Sequence, residues 1–585
     1  MALDYEKHVA IDFETFYSDE YSVSTMGPHN YTKDPRFDAY ILSAYCPEFQ
    51  YVGHPSGFDW KLLSGRTVVA HNALFEWYIL DALGVEIDFT LVDSAGVCRY
   101  MNVAGSLKDA IFGLYGETRD KTIRDDAMKG RHWHQFTPDE QHAINAYALQ
   151  DSVDAWTIWD DFGSEWPEKE YRVWLQTCHM LRRGVRVDVA KLDSYVDILA
   201  NEYHRCLSLM PWVEAGEKPG SPKAVKECCR DNGVPIPKSF NKKENDVKEW
   251  VEVYGEKFPW VQAFQDHKSV NQFRNKLLSL RNRLDGDTLH YDLIYAGTRT
   301  LRWAGRGAES DTSVGGYNIL TMRKDAMFGC DERSLIIPRD GKKFIIADWA
   351  QIEPRILFVR VDKQSLLKLI RQGMSVYEAY ARATGNWDRP EDLKSGDPKL
   401  YATFKAIVLG LGYGMGHEKF VSSSGLDMPL PEAKDLVRRY RYVDNPEIQA
   451  LWYEFGDEMT RYTGASVYRQ ELPSGRPIFY YNVEVSATNG NIIVPKELGL
   501  SRLDYYWGGK LVENYIQSVA RDILVETLLG GWGEDIVLHI YDEAVFEVDI
   551  DVPVPEIVEY MCRPVEWLPD LPLDAEAIES YCYTK

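Results

Sequence analysis

The sequence has no apolar run near the roughly 18 residues that a membrane span needs, and its start, MALDYEKHVA, lacks the basic-then-apolar pattern of a secretory signal. Cysteines are few, nine in 585 residues, and none forms a C-x-x-C pair; only Cys228 and Cys229 are close, and adjacent cysteines seldom bridge. This excludes a cysteine zinc site and fits a reduced, cytosolic setting. Positive charge is also short, with 66 Lys and Arg against 90 Asp and Glu, a formal charge of −24. Polyanion binding usually leaves a basic footprint, so the global charge argues against nucleic acid. Inspection finds no internal repeat or low-complexity tract.

Local patterning weakens the charge argument. From Lys268 to Arg283 there are five basic residues (Lys268, Arg274, Lys276, Arg281, Arg283) and no acid, followed by Arg299, Arg302 and Arg306. Such runs are as often plain solvated helix faces, but an acidic protein with one basic channel is compatible with DNA. At about 150 residues per domain the chain is too long for one core. Residues 1–165 mix a strand (HVAIDFETF), a second apolar run (GRTVVAHNALFEWYIL) and a helical segment (PDEQHAINAYALQDSVDAWTIWDDF), which predicts an α/β domain. Residues 166–289 predict a mostly helical region. Residues 290–585 carry β-branched runs framing a more helical block at about 362–463, which predicts a sheet domain with a helical insertion.

Acids stand where such elements would ordinarily be apolar. Asp12 and Glu14 are two apart on the first strand and so share a face, where they repel unless a cation lies between them. Tyr147 and Asp151, four apart on a helix, share another, and Glu76 follows the second apolar run. In HIYDEAVFEV, strand alternation puts Asp542 with Ile540, Ala544, Phe546 and Val548, a costly place for a lone carboxylate. The bland reading makes YDEA a hairpin turn with both acids in water; the sharp one is a turn that delivers Asp542 to a divalent metal. Asp348, ending the apolar run FIIA, is the partner acid that the sharp reading needs. His132 and His134 in RHWH read as an exposed loop rather than a metal site.

Taken together, and in this order, the first set resembles the 3′→5′ exonuclease domains of the DEDD superfamily, in its tyrosine-using subgroup. The resemblance implies Asp12, Glu14 and Asp151 as metal ligands, Tyr147 orienting the attacking water, and Glu76 at the position where relatives usually carry aspartate. Leu107, in GSLKDA, supports the fold only.

The second set resembles family-A DNA polymerases, the group of bacterial DNA polymerase I and many phage replicases. ADWAQIEPRIL is similar to motif A, usually DYSQIELR, with Asp348, Gln351, Ile352, Glu353 and Arg355 matching and Trp349, Ala350 and Pro354 departing. IYDEA is similar to motif C, usually VHDE, with Tyr541 in place of histidine, and FKAIVLGLGYGMG to motif B. The implied catalytic acids are Asp348, Asp542 and the adjoining Glu543, the first two holding metal ions. Lys405 is implied to bind the triphosphate, Tyr413 to guard the nascent pair, Glu353 to block a 2′ hydroxyl, and Gln351 and Leu409 to lie in the nucleotide site. Lys405 and Tyr413, eight apart, are expected on one helix face. Tyr401 stands where relatives often carry arginine, with Lys399 as a substitute. TLRWAGRG resembles TGRWSGRG with Leu301 for glycine, and ENYIQSVARDIL supplies Gln517; Arg302 and Gln517 are implied to read the minor groove, with Lys268 and Arg274 as further DNA contacts.

The implied architecture is a ribonuclease H-like exonuclease domain followed by a right-hand polymerase, with 166–289 as thumb and 362–463 as fingers. The implied cofactor is Mg²⁺, or Mn²⁺ in its place, two ions at each active site. The implied partners are primer-template DNA and deoxynucleoside triphosphates, for a monomer in the cytoplasm of an infected host. Two other readings of the same residues are a nuclease-dominated repair enzyme and a non-catalytic DNA-binding scaffold.

Overall fold

A computed structural model describes residues 7–241, 244–305, 317–426 and 428–584. Arg306, part of the basic run, lies outside the described residues.

The first domain is built on a mixed five-stranded sheet. Its strands are β1 (His8–Thr15), β2 (Ala39–Cys46), β3 (Phe49–Gly53), β4 (Thr67–Ala70) and β5 (Thr90–Asp93), in the order β3-β2-β1-β4-β5. β1 runs antiparallel to β2 and parallel to β4. The predicted helix spans Pro138–Phe162. It starts at a capping box in which Thr137 and Glu140 exchange hydrogen bonds, with proline in the first turn, and it packs across β1 and β2. The second apolar run is a strand and a helix: β4, a left-handed Asn72, then Ala73–Ala82.

The middle region is mostly helical: it opens with the helix Glu168–Arg183, and short strands stand at the base of the helices that follow. The helices Val189–Ser208 and Pro259–Asn282 pack against each other, and a separate cluster of Met210, Trp212, Val225, Trp250, Trp260 and Phe264 closes their far end. At their base, β6 (Val185–Val187), β7 (Leu284–Asp285) and β8 (Thr288–Leu289) pair in one sheet with a strand from beyond residue 289. The expected boundary at 289/290 therefore cuts through a sheet. Strands of two or three residues are too short to show alternation in sequence.

After the pair β9 (Leu293–Ile294) and β10 (Ala304–Gly305) and the short β11 (Ile336–Ile337) comes β12 (Lys342–Trp349). Two small antiparallel sheets follow the helical block: β13 (Val467–Glu471) with β14 (Pro477–Tyr481), and β15 (Glu484–Val485), β16 (Ile492–Pro495) and β17 (Leu503–Tyr506). The helix Gly508–Leu528 then leads to β18 (Ile536–Ile540), β19 (Glu543–Asp549) and β20 (Ala575–Ser580), which join β12 in an antiparallel sheet of order β18-β19-β12-β20. One continuous apolar cluster runs from the first sheet through Trp166 and Trp174 to this sheet. The loop after β16 docks on the first domain: Leu498 N–H donates to Asn102 O, and Ala104 N–H to Leu498 O. Gly499, at φ +98°, lets this backbone reach Gly113, where an added Cβ would stand 2.7 Å from Gly499 N.

The decapeptide His539–Val548 is not one strand. Ile540 faces Glu543 across a two-residue loop, Tyr541-Asp542, so the alternation breaks and Asp542 leaves the apolar face. Tyr541 has φ +58°, the positive value that the first loop residue of a type II′ turn takes. The bland expectation of two solvated acids is corrected as well, since Glu543 is buried. All nine cysteines are free, and no helix among the described residues is long and apolar enough to cross a membrane.

Two candidate carboxylate sites

The first site is set by the register of β1. Asp12 lies opposite Ser43 of β2. The Ser43 hydroxyl donates to Ala148 O at 2.8 Å and meets Ser152 Oγ at 2.6 Å, both on the helix Pro138–Phe162. These buried contacts fix the helix against the strand pair and bring Asp151 to Asp12 and Glu14. One oxygen from each of the three acids lies within 4.8 Å of the others.

Burial holds all three carboxyls above their ordinary range; repulsion from the neighbouring acids adds to it at Asp12 and at Glu14, the latter as high as about 8. Tyr147 donates a hydrogen bond to Asp151. Glu76 is buried on the helix Ala73–Ala82, outside the three-acid cluster but near enough to raise Asp12. Its Oε2 finds no hydrogen-bond partner among the described residues. A cluster of hard oxygen donors whose charge is uncompensated is what a divalent cation relieves, so the residues fit Mg²⁺. Lys121, which sequence reading missed, stands 4.0 Å from Asp151 Oδ2 and is a partial counter-charge. No motif marks it. His132 caps a short turn and bonds Asp38 at 2.8 Å, in neither metal-type cluster of the described residues.

The second site lies at the end of β12. Asp348 pairs with Glu543 on one side and Glu576 on the other, and Trp349 N–H donates to Asp542 O at 3.1 Å. The two motif acids therefore sit on neighbouring segments at one end of the sheet. Glu543 is turned away from solvent, accepting from the Tyr583 hydroxyl and lying 3.8 Å from Arg333 Nη1. Sequence reading missed both partners, which are distant in the chain.

Beyond Asp348 the chain turns through Gln351, at φ +52°, into the helix Ile352–Arg360. The Gln351 side chain accepts from Val376 N–H at 2.9 Å and so braces the next helices. Arg355 is buried and donates to Ala350 O, Pro572 O and Asp574, locking the turn. Glu353 receives Arg302 Nη2 at 2.7 Å and the Tyr413 hydroxyl at 3.3 Å. Arg302 also stands 5.5 Å from the centre of the Tyr541 ring.

Lys405 and Leu409 share the exposed face of the helix Pro398–Leu411. The helix ends at Leu411, and Tyr413 lies in the turn that follows it. The turn closes at Gly414, at φ +82°, where an added Cβ would fall 2.0 Å from Trp507. The exposed Lys399 and the half-buried Tyr401 lie on the first turns of the same helix, with Tyr401 edge-on to Tyr377. Gln517, on the helix Gly508–Leu528, donates to Glu513 at 3.2 Å.

The basic run divides. Lys276, Arg281 and Arg283 are held by Glu332, Asp193 and Asp292, and Arg299 is consumed by Phe479 O, Pro495 O and Lys496 O. Lys268 is exposed and Arg274 half-buried on the helix Pro259–Asn282.

No protein-family profile matches the chain. It is 25% identical to a DNA polymerase of Bacillus phage SP02, in an alignment covering 99% of this chain and 100% of the relative. A DNA polymerase I of Pseudomonas aeruginosa is 26% identical over 47% of this chain and 28% of its own length. A thermostable DNA polymerase I of Thermus aquaticus is 24% identical over 47% and 32%. Among solved structures, the POL domain of Pol1 from M. smegmatis, in complex with DNA primer-template and dNTP, superposes with a TM-score of 0.68 at 16% identity, covering 98% of this chain and 95% of that one.

Proposed function

From the premise that this chain is of the family-A, DNA polymerase I-like phage type, we propose that it is a DNA-directed DNA polymerase with a separate 3′→5′ proofreading exonuclease, serving phage DNA replication in an infected cell. The observation that carries the polymerase reading is the end of the sheet, where Asp348 lies beside the Tyr541-Asp542 turn, next to the contact between Glu353 and Tyr413.

Asp348 and Asp542 would hold the divalent ions of the synthetic site, and Asp12, Glu14 and Asp151 those of the hydrolytic one. Bound there, Mg²⁺ lowers the pKa of an attacking hydroxyl or water and neutralises charge on the phosphoryl oxygens. The protein's own groups do the rest. Glu543, fixed by Tyr583 and Arg333, braces the strand that presents the Asp542 turn. Lys405 offers an exposed point charge to a triphosphate. Glu353, clamped from two sides, is a rigid wall where a 2′ hydroxyl would otherwise enter. Gln517 has a second amide hydrogen for a minor-groove acceptor once Glu513 takes the first. At the other centre Tyr147 orients water through its bond to Asp151. Two sites supply selection at insertion and again by excision.

The direct test is filling of a recessed 3′ end with Mg²⁺ and four deoxynucleotides. The intact chain extends the primer and Asp348→Ala does not; extension that survives Asp348→Ala would remove the motif-A aspartate from the chemistry.

A further inference from the structure

At the seam between the first domain and the lobe that follows, three metal-binding side chains converge from distant segments. His29 lies on the helix Pro28–Lys33, Asp285 on β7, and His290 immediately after β8. One ligand atom from each lies within 4.8 Å of the other two. His29 Nε2 is 2.9 Å from Asp285 Oδ2, and the two imidazoles stack with centroids 3.6 Å apart and planes 21° from parallel. None of the three belongs to either acid centre.

We infer that His29, Asp285 and His290 form a binding site for one transition-metal dication of the zinc class, which clasps the first domain to the lobe built on β6, β7 and β8. This does not rest on the polymerase reading. Two imidazole nitrogens and one carboxylate oxygen are a donor set that suits zinc and leave a fourth position for water, whereas Mg²⁺ prefers oxygen alone. Ligand atoms about 2.0 to 2.1 Å from a tetrahedral ion lie roughly 3.4 Å apart. The present spacing therefore needs only side-chain adjustment.

The surroundings favour neutral, oriented imidazoles. His290 Nδ1–H donates to Leu181 O at 3.4 Å, which leaves Nε2 for the metal. Burial, with Lys33 and Arg182 near His29, holds that ring below its ordinary value, and burial beside His29 brings His290 to about 4. Both rings thus keep lone pairs at neutral pH. Lys33 bonds Asp285 at 2.7 Å, but its side chain is 60% exposed and can swing into water. The approach of the two segments is held independently: Asn30 Nδ2 donates to Arg283 O, and Arg283 Nη2 to Ser24 O.

The test uses the full chain, stripped with a chelator, in millimolar Mg²⁺ to fill the oxygen-only centres, and titrated with Co²⁺. The expected result is one equivalent giving the visible bands of nitrogen-ligated, low-coordinate cobalt, displaced by Zn²⁺. His29→Gln and His290→Gln lose that band, while Asp12→Ala, Asp348→Ala and His132→Gln keep it. No band, or one that survives both histidine substitutions, overturns the inference. A second reading needs no variant: Zn²⁺ should protect His29 and His290 of the unaltered protein from diethyl pyrocarbonate, and equal modification with and without Zn²⁺ overturns it.

Discussion

Arg302 Nη2 donates to Glu353 Oε1 at 2.7 Å, and the same guanidinium stands over the ring of Tyr541. One side chain thus ties the helix after Asp348 to the turn that carries Asp542. Both acids are placed with respect to each other by a residue from a third segment. Glu353→Ala removes the wall that Arg302 and Tyr413 hold in place. It should raise ribonucleotide insertion relative to deoxynucleotide insertion at least tenfold, while Tyr413→Phe, which loses one hydrogen bond worth about 1 kcal/mol, should shift the ratio by less than tenfold. Competitive insertion of paired substrates measures both; an unchanged ratio in Glu353→Ala would remove it from sugar selection.

Ser43→Ala strips the buried contacts that register the helix Pro138–Phe162 on β1 and β2. A stability loss of about 1 to 3 kcal/mol is expected. Degradation of single-stranded 3′ ends should fall while primer extension holds. Equal losses in both activities would mean that the contact supports the whole chain rather than this site.

The motifs were legible because their spacing is local: Asp12 with Glu14 on a strand, Tyr147 with Asp151 on a helix, and a helix start marked by Thr137, Pro138 and Glu140. The turn expected at YDEA forms at Tyr541-Asp542, while the burial of Glu543 beside it has no local signal. The helix that carries Lys405 ends at Leu411, two residues short of Tyr413. What was missed is made by tertiary contact alone: Tyr583 and Arg333 on Glu543, Lys121 beside Asp151, and His29 against Asp285. Gln351 shows a third case, where a motif residue also does structural work through Val376.

Without metal, the three-acid cluster should make stability fall as pH rises. Burial lifts the Glu14 carboxyl to about 8 in the folded chain, above the 4.5 of a free glutamate, so between those values the folded state binds more protons than the unfolded one. Stability is then greatest at the acid end of that window and declines toward pH 8. Melting in chelator from pH 5 to 8 should show the decline, Mg²⁺ should flatten it, and Glu14→Gln should make it shallower. A melting point that rises across the window would contradict the electrostatics described for this site.

Arg521 is fully buried and donates to Glu170 at 2.5 and 2.7 Å and to Leu301 O at 3.1 Å, which positions the segment carrying Arg302. Arg521→Met leaves Glu170 buried without its ion-pair partner, its remaining hydrogen bond coming from the Tyr295 hydroxyl, a loss of about 3 to 5 kcal/mol. The double variant Glu170→Gln with Arg521→Met should be more stable than Arg521→Met alone. Chemical denaturation decides it, and a double variant less stable than Arg521→Met would show that the ion pair is not what is lost.

Two separate acid centres with different chemistries should give activities that single substitutions pull apart. Matched and mismatched primers are incubated with Mg²⁺, with and without deoxynucleotides, comparing the intact chain with Asp542→Ala and Asp12→Ala. Asp542→Ala should lose extension and keep degradation, and Asp12→Ala should extend mismatched primers it can no longer trim. Loss of both activities in either variant, or an intact chain that only degrades, would contradict that separation.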